Sequence, residues 1–267
     1  MRMANMYRPD RQSAILQAVR LRGSASVLEL ARELGVSDET IRRDLTQMTA
    51  DGLIRKVHGG AMLPDPLVEP GFHQRLAENA AAKMAIAKLA AAQVRNGDTL
   101  MLDTGSTTAF VARALRDRRD LLVVTNSVDI ARTLATRNGN RVYMAGGELR
   151  ADDGAALGPS ATAFVGQFRA RLAFLSIGAI DLEDGLMDYD LDEAEFSRVV
   201  MRRSERTIVV ADHSKFGRRG LVTVCPLSAV DMLVTDTAPP PAFVERLRKA
   251  DATLLIADRD KSAATVG

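Results

Sequence analysis

Between residues 27 and 48 the apolar positions dictate two short helices and the turn between them. Val27, Leu30, Ala31 and Leu34 fall at i, i+3, i+4 and i+7, one helical stripe, and Gly35 ends it. Val36 and Ser37 form a short turn, where the Ser37 hydroxyl can cap the next helix. Asp38 and Glu39 then put negative charge in that helix's first turn, where its dipole favours it. Ile41, Leu45 and Met48 point inward, leaving Glu39, Thr40, Arg42 and Arg43 on the exposed side. Ahead of the pair, Ile15, Leu16 and Val19 predict another helix over 11–21, broken at Gly23 and Ser24. Two short helices with a tight turn, the second opening on paired arginines, predict a helix-turn-helix. A helix fits the major groove, where arginine binds guanine through two hydrogen bonds or anchors on phosphate. A plain three-helix packing unit with solvated arginines has the same periodicity, so the decision falls to the next segment.

That segment, residues 53–63, reads as strand, glycine turn, strand. A two-stranded wing beside the recognition helix lets Arg55 and Lys56 reach the phosphates flanking the groove. His58 reads as a turn residue; with His73 and His213 as the other histidines, no metal-ligand cluster is expected. Charge is compatible with nucleic acid but does not demand it. Residues 1–60 carry ten Lys/Arg and seven Asp/Glu, net +3, against 26 and 27 in the remainder, net −1. The N-terminus lacks the apolar core of a secretory signal, and no uncharged apolar run is long enough to span a bilayer. One cysteine, Cys225, has no partner for a disulfide or a thiolate metal site. Together these point to a reducing cytoplasm.

The proline-rich stretch from Pro64 to Gly71 is the natural boundary between two domains. The expected plan is a winged helix-turn-helix over 1–63, a linker over 64–73, an effector domain over 74–257 and a disordered tail over 258–267. From about Gln74 helix-like and strand-like segments alternate: a helix over 80–94, then strands over 99–103, 121–125, 141–145, 172–178, 207–211 and 232–235. This predicts a Rossmann-like α/β domain with a largely parallel sheet, which binds ligands at the carboxyl ends of its strands. Asp103-Thr104-Gly105-Ser106-Thr107-Thr108 lies where such a site belongs, directly after a strand and opening a helix. Glycine permits close approach, and hydroxyls with unbonded helix N–H groups can cradle a phosphate. Taken alone, the loop is equally well an ordinary Ser/Thr cap. Thr125-Asn126, Gly146-Gly147 and Gly178 follow later strands, and their convergence favours a small polar ligand. Glu193, in an acidic segment before a helix, can accept from sugar or glycerol hydroxyls, and Lys215 can neutralise a phosphate.

The run ELARELGVSDETIRRDLTQMTADGLIRKVHGGA resembles the N-terminal signature of the DeoR family of bacterial regulators, without a gap. TGSTT, VVTNS, AGGELR, EA and ADHSKFG occur in the order seen in that family's effector domain, so the resemblance spans nearly the whole chain. It implies a C-terminal fold like ribose-phosphate isomerase and CoA-transferase, which in the family binds phosphorylated metabolites. It further implies operator DNA as partner, homo-oligomers, and phosphate contacts from Thr104, Gly105, Ser106, Thr107 and Thr108, with Lys215 nearby. AGGELRADDG, GQFRARLAFLSIGAID, DHSKFGR and TDTAPPP are most similar to the branch governing glycerol-3-phosphate metabolism, which implies sn-glycerol 3-phosphate as effector. Another sugar or polyol phosphate is the alternative. An isomerase would need a base and an electrophile, which Asp181, Asp188, Glu193 and Lys215 offer in principle. The family is regulatory, so neither catalysis nor a cofactor is expected.

Overall fold

In a computed structural model, residues 7–50, 53–57, 59–62 and 69–257 are described. The chain divides into two compact units, Met1–Pro70 and Gly71–Gly267. His58, residues 64–68 of the expected linker and the 258–267 tail lie outside the described residues.

The first unit runs α1 (Arg8–Arg22), β1 (Ser24–Ser26), α2 (Val27–Leu34), α3 (Asp38–Ala50), β2 (Arg55–Val57) and β3 (Gly60–Met62). Its core is the set the periodicity selects: Ile15, Val19, Val27, Leu30, Ile41, Leu45 and Met48 are buried together. A capping box starts α2, in which the Ser26 hydroxyl accepts from Glu29 N–H and the Glu29 carboxylate accepts from Ser26 N–H at 2.9 Å. The wing pairs antiparallel as expected, but residues 24–26 do more than break a helix. They form β1, which pairs with β3 to make a three-stranded sheet of order β1-β3-β2. Gly60 is the residue that permits it: a Cβ there would stand 2.9 Å from Ser26 Cα and nearer still to the Ala25 carbonyl.

The second unit continues with α4 (Phe72–Ala77), α5 (Ala80–Ala91), β4 (Thr99–Leu102), α6 (Ser106–Ala114), β5 (Leu122–Thr125), α7 (Val128–Leu134), β6 (Arg141–Met144), α8 (Pro159–Val165) and β7 (Ala170–Ser176). It ends with β8 (Ala179–Asp181), β9 (Gly185–Asp188), α9 (Leu191–Arg202), β10 (Ser204–Val210), β11 (Val222–Cys225), β12 (Met232–Thr235), α10 (Pro241–Lys249) and β13 (Thr253–Ile256). Phe72 and His73, assigned to the linker from sequence, instead form the first turn of α4 and belong to this unit. Proline density ends at Pro70, and the Phe72 N–H finds a carboxylate that the linear sequence does not reveal.

Seven parallel strands lie in the order β13-β12-β10-β7-β4-β5-β6. Alternate residues of the central strands serve opposite faces. Leu100, Leu102, Leu172 and Phe174 pack with Ile86 from α5, Val111 from α6 and Leu115 just after it. Met101, Ala173 and Leu175 pack with Val165, Phe196 and Val200 from α8 and α9. Strands buried on both faces therefore read as continuous apolar runs, and these were visible in the sequence, as was the less buried edge strand β6. The short antiparallel sheet β11-β9-β8 was not, and neither was β13. From β4 the chain builds outward through β5 and β6, then returns to the other side of β4 to lay down β7. The order reverses between β4 and β7, the place where open α/β sheets bind ligands.

Candidate functional site

On the recognition helix α3, Ser37 Oγ accepts the Thr40 N–H at 3.2 Å, the cap expected from its position. Glu39, Arg42 and Arg43 are exposed, and Thr46 and Gln47 extend the same face at i+7 and i+8 from Glu39. Sequence reading stopped short of those two, although their spacing from Glu39 marks them. Glu39 pairs with Arg43 at 3.3 Å, but both side chains are largely in water, so the pair adds little stability and leaves the guanidinium available. Arg55 and Lys56 are exposed on β2, and Lys56 Nζ donates to Thr46 Oγ1 at 3.4 Å, bringing wing and α3 side by side. Behind this face Asp44 is buried and receives Arg11 Nε at 2.5 Å, with Arg8 at 3.6 Å. That interaction fixes α3 against α1, and no periodicity announces it.

At the switch point, Asp103 and Thr104 leave β4 and Gly105 precedes α6. A Cβ on Gly105 would lie 2.6 Å from Ser176 Oγ, so the β4 and β7 ends can meet only with glycine here. Asp103 is buried, and both its oxygens accept the Ser176 N–H, at 3.0 and 3.1 Å. Burial pushes its carboxyl well above the ordinary aspartate range, against the opposing bonds from Ser176 and Thr108. Thr104 N–H donates to Asn126 Oδ1 at 2.8 Å, and Asn126 Nδ2 donates to the Ala156 carbonyl at 3.2 Å. Thr125 Oγ1 accepts from Ser127 N–H at the end of β5. Ser106, Thr107 and Thr108 occupy the first turn of α6, where their N–H groups have no helical carbonyl behind them.

Asp153, absent from the sequence-based site, completes the cluster. The loop after β6 folds back through isolated pairings of Ser127 with Ala155 and Leu149 with Ala156. This places Asp153 Oδ2 3.1 Å from the Thr104 hydroxyl that donates to it. Arg150 bonds Asp153 at 3.0 Å (Nε) and 2.5 Å, and it also holds Glu193. Asp190, the N-cap of α9, lies 3.8 Å from the same guanidinium. Glu193 is thereby joined to the Thr104 loop through Arg150 and Asp153. For Asp153 burial works upward, but the bonds from Arg150, Ala155 and Thr104 outweigh it and hold the carboxyl below its usual range. Arg150 and Asp153 lie in the AGGELRADDG run, which in the sequence carries the family resemblance and names no site residue beyond Gly146 and Gly147.

Other expected residues are spread along the same strand ends. Gly178 follows β7, where a Cβ would meet Tyr189 at 2.8 Å and Asp188 at 2.9 Å. Lys215 lies in a single 3-10 turn after β10, capped by Asp212, whose Oδ1 accepts Ser214 N–H at 2.9 Å. Gly146 and Gly147 follow the edge strand β6 and are exposed, two strands from the Asp103 loop. Asp181 is occupied in capping the turn at Glu183 and Asp184 and in pairing with Arg219 at 3.0 Å. Among the described residues no His, Cys, Asp and Glu group is arranged to hold a metal ion, and no helix is long and apolar enough to cross a membrane.

Residues 11–66 match the DeoR-like helix-turn-helix domain, and residues 78–237 match the DeoR C terminal sensor domain. The chain belongs to the DeoR family. Among curated DeoR-family relatives, the glycerol-3-phosphate regulon repressor of Escherichia coli K12 is 39% identical over 239 residues, covering 90% of this chain and 94% of the relative. The glycerol-3-phosphate regulon repressor of Haemophilus influenzae is 38% identical over 229 residues, covering 86% and 89%. The repressor CsqR of E. coli K12 is 34% identical over 250 residues, covering 94% and 96%. Among solved structures, ribose 5-phosphate isomerase A of Methanocaldococcus jannaschii overlaps 52% of this chain and 55% of its own at 19% identity, with a TM-score of 0.39.

Proposed function

We propose that this DeoR-family protein is a transcriptional repressor that releases its operator when a phosphorylated metabolite, sn-glycerol 3-phosphate, occupies the cleft at the β4–β7 switch point. Ser37, Glu39, Thr40, Arg42 and Arg43 meet the DNA from α3, and Arg55 and Lys56 hold flanking phosphates from the wing. The phosphate lies against the first turn of α6, in the N–H groups of Gly105 to Thr108 and the hydroxyls of Ser106 and Thr107, bordered by Thr104 where Asn126 and Asp153 hold it, with Lys215 supplying charge. Asp103, Thr125, Asn126 and Gly105 shape that end. Glu193, Gly178, Gly146 and Gly147 line the approaches, where the glycerol hydroxyls are read.

The observation that carries this reading is the position of the TGSTT loop: it opens a helix where the strand order reverses and is braced by Asn126 and Asp153. The higher identity to repressors of glycerol-3-phosphate regulons, 39% and 38% against 34% for CsqR, supports that metabolite over other phosphates. The isomerase alternative is weaker, because Asp181 is committed to a turn and to Arg219. Paired half-sites on DNA call for a dimer or tetramer. Ligand-dependent release requires a coupling of about 1–3 kcal/mol. Thermal melts of the purified chain with sn-glycerol 3-phosphate, and with ribose, fructose and galactitol phosphates, test the sensing site. Glycerol phosphate is expected to raise the melting temperature with the logarithm of its concentration, and Thr107→Val to abolish the rise. A rise with another phosphate alone replaces the inducer; no rise with any of them rejects the site.

A further inference from the structure

Helix α4 is the first element of the sensor unit that the chain enters after the DNA-binding unit, and each of its ends is tied to a different effector-site segment. At its start, Asp152 Oδ2 accepts the Phe72 N–H at 2.7 Å, across 80 residues of sequence. The adjacent Asp153 is the residue that takes the Thr104 hydroxyl and the Arg150 guanidinium. One dipeptide thus grips the cleft with one carboxylate and α4 with the other. At the far end of α4, the buried Lys83 donates to the carbonyls of Arg75 and of Glu78, the latter at 2.9 Å. Asn79, in left-handed conformation between α4 and α5, donates Nδ2 to Asp212 Oδ1 at 3.1 Å. Asp212 in turn caps the turn that carries Lys215. A six-residue helix has almost no stability of its own, so its position is set by the packing of its buried Phe72 and Arg75 and by the bonds that hold its ends.

We infer that α4 is the element through which the cleft controls the DNA-binding unit, with Asp152 as the positioning residue that transmits the state of the Thr104–Asp153 contact to it. A ligand that engages the TGSTT loop rearranges the partners of Asp153, and the Asp152 carboxylate moves with its neighbour. Lys215 acts on the other end through Asp212 and Asn79. Both displacements converge on the segment that continues into the linker. Asp152 holds the α4 backbone and belongs to neither the recognition helix nor the phosphate loop, so binding and transmission separate at this residue. The inference rests on the ligand-responsive reading of the cleft.

The test uses the full-length chain and a DNA duplex selected from a random library by the ligand-free protein, with sn-glycerol 3-phosphate as probe. In the wild type, saturating probe is expected to raise the melting temperature and to weaken DNA binding at least about fivefold. Asp152→Ala is expected to keep the full melting shift while its DNA affinity changes less than about twofold, a fraction of that coupling. Asp152→Asn, which retains an oxygen to accept the Phe72 N–H, is expected to recover most of the response. An Asp152→Ala protein that releases DNA as the wild type does overturns the inference and leaves the sensing site standing. A wild type with no melting shift overturns the sensing site itself, and the inference with it. Hydrogen exchange on the unmodified chain covers the case in which Asp152→Ala does not fold. Probe binding is expected to change protection across residues 72–77, and unchanged protection there overturns the role of α4.

Discussion

Replacing Gly105 by alanine isolates the close approach on which the switch-point cleft depends. The backbone at Gly105 has φ 166°, extended geometry that alanine adopts freely, so conformational strain contributes nothing. The cost comes from steric overlap alone. The new methyl would sit 2.6 Å from Ser176 Oγ and 3.1 Å from Thr108 Oγ1, where non-bonded carbon contacts settle at about 3.5–4 Å. Ser176 cannot withdraw easily. It is paired with Val210 on β10, and its N–H is held by the Asp103 carboxylate. Overpacking of this kind costs about 1–3 kcal/mol. For a unit of this size each kcal/mol lowers the melting temperature by about 2–4 °C, so the sensor-unit transition is expected to fall by roughly 2–12 °C. The ligand-induced melting shift is expected to vanish as well. Gly105→Ala with Ser176→Gly removes the opposing side chain and is expected to recover most of the stability, a coupling of about 1–3 kcal/mol in a double-mutant cycle. Calorimetry on the four proteins measures it. A single variant that melts with the wild type, or a double variant no better than the single, refutes the reasoning.

Three further outcomes rest on the same geometry. Arg42→Ala and Arg43→Ala are each expected to weaken DNA binding and to flatten its salt dependence by about one unit of slope for every phosphate the variant no longer neutralises; the ligand-induced melting shift should not change. Asp44→Ala strips a buried partner from Arg11 and Arg8 and is expected to destabilise the first unit by about 3 kcal/mol, so that DNA binding measured on cooling and warming disappears at the warm end first. Asp103 carries the pH prediction. Its folded-state carboxyl titrates above its unfolded value, so the folded chain holds the extra proton and stability falls as pH rises through that window. Asp103→Asn is expected to melt above the wild type at about pH 8, with the gap closing toward about pH 4; a gap constant with pH contradicts it.

Where the sequence was legible, burial had a period. Ile41, Leu45 and Met48 announced α3, and the doubly buried runs at β4, β5, β7 and β10 announced the parallel sheet. Turn chemistry at Ser37 was equally readable, because capping is local, whereas at the TGSTT loop the N-cap of α6 is Gly105 and no side chain caps the helix, so the ordinary Ser/Thr cap is not what forms there. What stayed hidden was long-range. Asp44 meets Arg11 across 33 residues, Thr104 meets Asp153 across 49, and Phe72 meets Asp152 across 80. A polar residue in a loop carries no periodicity, so its partner emerges only when the strands bring the loops together. β8, β9 and β11 (Ala-Ile-Asp, Gly-Leu-Met-Asp and Val-Thr-Val-Cys) are interrupted by polar residues or glycine and hold no continuous apolar run like those of β4 and β5, and Gly23 and Ser24 make β1 read as a helix break.

That one chain joins an operator reader to a phosphate-metabolite sensor is tested most directly by fluorescence anisotropy of the full-length protein on its selected DNA duplex while sn-glycerol 3-phosphate is titrated in at fixed ionic strength. The expected result is a saturable fall in DNA affinity of about five- to a hundredfold, absent in Thr107→Val and in Lys215→Ala. DNA affinity that is unchanged at phosphate-metabolite concentrations that saturate the melting shift would contradict it.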